Sequence, residues 1–169
     1  MKCMLACSVL LLLVIPASGQ PESVTVKEGR FSVRFPGRPK ENTQSTKTDA
    51  GTVKLYTATY ALPDGSIFIS SSAEFPSDVV KAEFRDKLFD GVIKGLTGKD
   101  GTEVSRKDIE IGKDKEKGRE VLIDKGKQQT RYRIVVKDGR LIQVGVVGAG
   151  DFIKSKDAAA FLDSLEFTK

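Results

Sequence analysis

Four runs of alternating apolar and polar residues, 103–111, 119–125, 129–137 and 140–147, follow one another in the second half of the chain. Only 113–118, Gly126-Lys127 and Asp138-Gly139 separate them. Parallel neighbours need a crossover of roughly a dozen residues or more, whereas antiparallel neighbours can be joined by about two. These connections are too short for a crossover and carry turn chemistry. The segment has to fold as a four-stranded antiparallel meander, and any long helix must come from elsewhere.

The first half supplies the other elements. Ser23-Val24-Thr25-Val26 and Phe31-Ser32-Val33-Arg34-Phe35 alternate on either side of Glu28-Gly29 and read as a short hairpin, stopped by Pro36-Gly37-Arg38-Pro39. A polar stretch at 42–48 is a weak edge-strand candidate. A stronger strand at 52–62 carries Val53, Leu55, Tyr56 and Tyr60, and Pro63-Asp64-Gly65 turns it into a partner at 66–73. Pro76-Ser77-Asp78 is a helix start, with Ser77 or Asp78 as N-cap, and predicts a helix of about 18 residues. Its apolar stripe runs through Val80, Phe84, Leu88, Val92 and Leu96, with Phe89 and Ile93 beside it. Gly91 and Gly95 cost about 1 kcal/mol each inside a helix relative to Ala, so close packing against the sheet is the expected reason for them. Ser155 is expected to cap a last helix with Ala158, Phe161, Leu162 and Leu165 as its apolar positions. Strands, long helix, strands and short helix predict an α+β fold, a mostly antiparallel β-sheet covered by helices.

The N-terminus reads as an address rather than as structure. Met1-Lys2 is positive, 4–15 is an uncharged apolar run, and Pro16 precedes the small residues Ala17-Ser18-Gly19. That pattern predicts a signal peptide over 1–19, cut before Gln20, and export to a periplasmic or extracellular location. The run is shorter than the roughly 20 residues a spanning helix needs, so no transmembrane span is expected after cleavage. Leu5-Ala6-Cys7 looks like a lipobox but precedes the Leu-rich stretch that a lipobox must follow. Both cysteines, Cys3 and Cys7, fall in the leader, so 20–169 is expected to fold without disulfides. No linker, repeat or low-complexity tract divides 20–169, which predicts a single domain.

Most catalytic chemistries lack their residues. The chain has no His, which removes Ser-His and Cys-His nucleophile pairs and the usual zinc ligand. Ser105 and Lys107, or Ser155 beside Lys154 and Lys156, have the composition of a Ser-Lys dyad, but so many lysines make such pairs by chance. Gly98-Lys99, Gly112-Lys113 and Gly126-Lys127 lack the spacing of a phosphate loop, and Gly148-Ala149-Gly150 reads as a strand end and turn. Asp114, Glu116 and Glu120 alternate with lysines and read as a solvated, charge-balanced turn rather than a calcium loop. No catalytic, cofactor-binding or metal-ligating residue is assigned, no cofactor is expected, and the chain is not expected to be an enzyme. A carboxylate-dependent hydrolase is the least favoured alternative, since nothing selects a pair among the acids.

Charge is more informative. The chain's formal net charge is +5. Between 125 and 140 stand Lys125, Lys127, Arg131, Arg133, Lys137 and Arg140 against the single acid Asp138, so one hairpin carries an excess as large as the whole chain's. Alternation puts Arg131 and Arg133 on one strand face and Tyr132, Ile134 and Val136 on the other. The six cations are the candidate surface for an anionic partner, either a protein or an anionic envelope component; nucleic acid is not expected outside the cytoplasm. On an exposed face, replacing Arg131 and Arg133 by Ala should leave stability nearly unchanged.

The segment Phe31-Ser32-Val33-Arg34-Phe35-Pro36 resembles the opening strand of the PsbP-like superfamily of α/β/α sandwich proteins. The closing segment Phe161-Leu162-Asp163-Ser164-Leu165-Glu166-Phe167 is similar to that superfamily's end. The paired strands, long helix and meander with Gly118-Arg119-Glu120 and Arg131-Tyr132-Arg133 keep the same order. The resemblance covers nearly all of 20–169 but rests on apolar patterns, not on a catalytic signature. It implies a non-enzymatic binding or accessory scaffold, as for exported bacterial members of unknown role, and leaves the ligand open. It carries over no photosynthetic site, and the metal-ligating His of some members cannot exist here. The expected function is an exported, non-catalytic binding or accessory protein. The alternative is an envelope-associated structural or interaction protein that uses the hairpin at 125–140.

Overall fold

The computed structural model describes residues 22–26, 30–48, 51–75 and 84–168. The expected leader, both cysteines and the expected helix start at Pro76-Ser77-Asp78 lie outside the described residues. The described residues form two antiparallel sheets. The smaller has strands β1 (Glu22–Val26) and β2 (Phe31–Phe35), paired as the alternation predicts, with Glu22 opposite Phe35. Its third member is β10 (Glu166–Phe167), which sets Phe167 opposite Phe31. The opening and closing segments of the chain are therefore hydrogen-bonded neighbours, a pairing that neither segment announces by itself.

The larger sheet has seven strands. They are β3 (Lys40–Thr48), β4 (Gly51–Ala61), β5 (Ile67–Glu74), β6 (Thr102–Ile111), β7 (Glu116–Asp124), β8 (Gln129–Lys137) and β9 (Arg140–Gly148), in the spatial order β3-β4-β5-β9-β8-β7-β6. All neighbours are antiparallel. The meander forms as its short turns require, and Asp138-Gly139 closes β8 onto β9 with φ of 48° and 77°, the left-handed pair of a type I′ hairpin. Helix α1 (Arg85–Thr97) links β5 to the far edge strand β6, and the meander then returns until β9 pairs with β5.

Period-two alternation gives the sheet two apolar faces. On one, Phe89 and Ile93 of α1 cover Val121, Ile123, Tyr132, Ile134, Val136 and Leu141. On the other, Phe68, Val135, Ile142, Val144 and Val146 pack under β2 and the short C-terminal helices α2 (Gly150–Ile153) and α3 (Lys156–Asp163). Phe161 is the hub of that side, with ring centroids 4.9 Å from Phe35 and 5.0 Å from Phe68. Ser155 caps α3 as expected, its Oγ accepting from the Ala158 N–H at 3.1 Å. The Gly148-Ala149-Gly150 turn leads straight into α2, a helix of one turn that the sequence reading did not include.

Two details of α1 correct the expected packing. The row Phe84, Leu88, Val92, Leu96 is a flank of the buried face, not its centre. Phe89 and Ile93 are 3% and 1% exposed, while Phe84 is 40% exposed. An i+4 row drifts about 40° around the axis at each step, so its first member turns out to solvent. Gly91 and Gly95 are exposed, and a Cβ on either would meet nothing within 4 Å. Close approach to the sheet does not account for them.

Candidate functional site

Alternation along β8 puts Arg131, Arg133 and Lys137 on the face that bears α2 and α3, while Tyr132, Ile134 and Val136 are buried beneath α1. In register, Leu122 of β7 is opposite Arg131, and Glu120 is opposite Arg133. On the other side of β7, Ser105 is opposite Leu122 and Lys107 opposite Glu120. Two transverse rows result, Ser105-Leu122-Arg131 and Lys107-Glu120-Arg133.

Glu120 is the centre of this arrangement and is only 5% exposed. Its Oε2 accepts from Arg131 Nη2 at 2.9 Å and Arg133 Nε at 3.0 Å, and Lys107 Nζ is 3.2 Å from Oε1. Arg133 also reaches Asp163 at the end of α3, Nη1 to Oδ1 at 2.6 Å. Burial by itself raises the Glu120 carboxyl, but the hydrogen bonds and charges of Arg131, Arg133 and Lys107 outweigh it and hold Glu120 below the usual carboxylate range. Glu120 is thus no part of a solvated turn. The β6–β7 turn is over by Lys115, and Glu120 points into a covered face beside Leu122.

The remaining predicted cations divide. Lys137 Nζ donates to Asp114 at 2.8 Å and Glu116 at 3.0 Å and stands 4.5 Å over the Phe167 ring, which ties β8 to the β6–β7 turn and to β10. The Asp114 hydrogen bond is the main reason its ammonium holds its proton more tightly than an ordinary lysine. Arg140 pairs with Glu74 of β5 at 3.0 Å. Lys125 and Lys127 stand exposed in the β7–β8 turn with no ion-pair partner among the described residues. The six residues do not form one patch. Arg131 and Arg133 share Glu120, Lys125 and Lys127 crown the turn, and Lys137 and Arg140 lock other elements at the opposite end of the hairpin.

Beside the Glu120 rows lies a cleft of about 140 Å³, lined by Ser105, Lys107, Glu120, Arg131, Ile153 and Lys154. In the sequence, Ser155 beside Lys154 and Lys156 is a chance pairing, and so is Ser105 with Lys107. Register across three strands is what brings Ser105 and Lys107 to Arg131, and no local spacing encodes it. Lys107 is engaged by the Glu120 carboxylate, an ion-pair role.

A larger cavity, about 540 Å³, opens at the start of α1 over Asp108 and Arg119. Two of its carboxylates, Asp86 and Asp108, converge on a cation, Arg119, rather than on open space. Arg119 contacts Asp86 at 2.8 Å, Asp90 at 3.2 Å and Asp108 at 3.2 Å, and lies 5.3 Å from the Phe89 ring centroid. This geometry clamps α1 to the sheet.

No known family model and no curated protein sequence matches the chain. Among solved structures, the chain is similar to cyanobacterial PsbP (CyanoP) from Synechocystis sp. PCC 6803. The TM-score is 0.57 at 13% identity, covering 96% of this chain and 97% of that one. A protein of unknown function from Pseudomonas aeruginosa, PA94, aligns at a TM-score of 0.40 and 10% identity, over 83% of this chain and 91% of that one. The first similarity shows that the fold is PsbP-like.

Proposed function

We propose that the protein is an exported, non-catalytic accessory module that binds an anionic partner on the basic face of its meander. The observation that carries this reading is the Glu120 cluster: one buried carboxylate holds Arg131, Arg133 and Lys107 together on a single sheet face. With Lys154 beside them and Asp163 opposite, the face keeps more cations than acids, and Lys125 and Lys127 extend it into the turn. Cations fixed by a framework repel one another until an anion arrives, so they are prepaid for binding. The layering, α1 on one face of the large sheet with α2, α3 and the small sheet on the other, fits an α/β/α sandwich built as one domain over 20–169. The leader at 1–19 is the ground for export. The acids with displaced titration, Glu103 and Glu120, are both displaced downward, which suits ion-pair partners and opposes use as a general acid.

The test is retention of the chain on immobilised poly-glutamate and on anionic phospholipid vesicles at low and high salt, with a Lys125→Ala/Lys127→Ala variant beside the parent. Both lysines are exposed, so their loss leaves the fold intact. Retention that falls with salt and falls further in the variant is expected, because exposed charges are screened beyond about 8 Å at physiological ionic strength. Retention indifferent to both, or no retention at low salt, refutes the reading.

A further inference from the structure

We propose that the cleft between the β6–β8 face and the end of α2 is a subsite for a tetrahedral oxyanion of the phosphate class. This rests on the anion-binding reading above and names the chemistry recognised there. The floor is the pair of rows Ser105-Leu122-Arg131 and Lys107-Glu120-Arg133, and Ile153 and Lys154 close the far side. At about 140 Å³ the space equals that of four or five waters at about 30 Å³ each. That space suits one small ion or the terminal anionic group of a larger ligand.

Three cations reach the cleft from separate elements: Lys107 from β6, Arg131 from β8 and Lys154 from the residue after α2. Arg131 spends only Nη2 on Glu120, which leaves Nε and Nη1 for a ligand. Glu120 does not compete for that ligand's place. Both its oxygens are engaged, and its part is to fix the guanidinium. Lys107, Arg131, Arg133 and Lys154 against Glu120 and Asp163 leave two positive charges unmatched. A phosphate group at pH 7 carries about −1.5 to −2, so it balances that surplus, whereas a carboxylate balances half of it. A tetrahedral ion also offers oxygens in three directions, where a planar carboxylate offers a single edge to an Arg fork.

The experiment is calorimetric titration of the chain with inorganic phosphate at low salt and slightly alkaline pH, with acetate as the planar comparison. One saturable phosphate site per chain is expected. Lys154→Ala and Lys107→Ala should each weaken it at least about tenfold, the loss for one charge-assisted hydrogen bond. Neither substitution strips Glu120 of its arginines, so both variants stay folded. Lys94→Ala, exposed on α1 against the opposite face of the sheet, should leave the phosphate affinity unchanged. Phosphatidylcholine vesicles containing phosphatidic acid separate the two sources of the group. Vesicle binding displaced by free phosphate assigns the subsite to a headgroup; phosphate binding with vesicles ignored assigns it to the free ion. No saturable phosphate binding, equal affinity in Lys154→Ala and Lys107→Ala, or acetate binding as tightly as phosphate overturns the proposal. If phosphate is silent while poly-glutamate retention stays salt-sensitive, the subsite fails and the wider reading stands.

Discussion

Replacing Arg131 and Arg133 together by Ala tests whether Glu120 is held by the sheet or merely decorated by it. The Glu120 side chain is 6% exposed and those of the arginines 24% and 18%, so this is a partly desolvated triad, not a surface pair. Removing both arginines leaves the carboxylate with Lys107, whose side chain is 62% exposed. A contact of that kind contributes at most about 1 kcal/mol, while stripping a buried charge of its partners costs about 3–5 kcal/mol. For a chain of this size each kcal/mol moves Tm by about 2–4 °C, so the double variant should melt roughly 6–20 °C lower. Equilibrium urea unfolding should show a lower midpoint at an unchanged slope. Adding Glu120→Leu to the same variant removes the stranded charge and should restore most of the loss, since apolar replacement of a buried ion cluster is often neutral or better. The acid limb gives a second reading. Glu120 titrates below its ordinary value of about 4.3, so its stabilisation is complete above that pH and is lost as pH falls through the folded value. The parent should lose stability on that limb, and the triple variant should lack this component. A double variant with the parent's midpoint would refute the account of Glu120. A triple variant as weak as the double would put the loss in the packing of the arginine stems instead.

Phe89→Ala should cost about 3–5 kcal/mol by urea unfolding, and Leu88→Ala, half-buried on the flank of α1, clearly less; the reverse order would mean α1 docks on the row first expected. Gly91→Ala and Gly95→Ala should each stabilise by about 0.5–1 kcal/mol, since both positions are helical, exposed and open; a loss in denaturant midpoint would reveal a contact at that site. N-terminal sequencing of the exported protein should begin at Gln20, and a mature chain that retains Cys3 would overturn the leader.

Local chemistry made most of the fold legible. The Asp138-Gly139 and Pro63-Asp64-Gly65 turns, the alternation of β7 to β9 and the Ser155 cap each act within a few residues, and each appears where its sequence puts it. What escaped depends on contacts between distant segments. β10 is two residues long and exists because β2 offers it an edge. The centre of the α1 face is set by which side meets Val121 and Tyr132, not by the longest i+4 row. The candidate site shows the same division. Arg131 and Arg133 do share a face, as period two requires, but their counterion is eleven and thirteen residues away on a neighbouring strand. A signal for Glu120 was present: Val121 and Ile123 face α1, so Glu120 lies with the apolar Leu122 on the opposite face, and a strand apolar on both faces is covered on both.

The cations in and beside the basic hairpin therefore fall into two groups that net charge cannot separate. Lys137, Arg140 and one edge of Arg133 join elements far apart in sequence, to Asp114 and Glu116, to Glu74 and to Asp163. Their charge is spent, and a screening salt acts on them as a loss of stability. Lys125, Lys127, Lys154 and the open edge of Arg131 have no such duty among the described residues, and under the proposed function salt acts on them through the anion bound there. Glu120 divides the two groups. By taking Nη2 of Arg131 and Nε of Arg133 from below, it converts two flexible cations into fixed ones, so that part of the hairpin's charge stays at the surface in one place. Substitutions on the two sides of that division should consequently separate, with Lys137 or Arg140 changing the melting temperature and Lys125, Lys127 or Lys154 changing only what the protein binds.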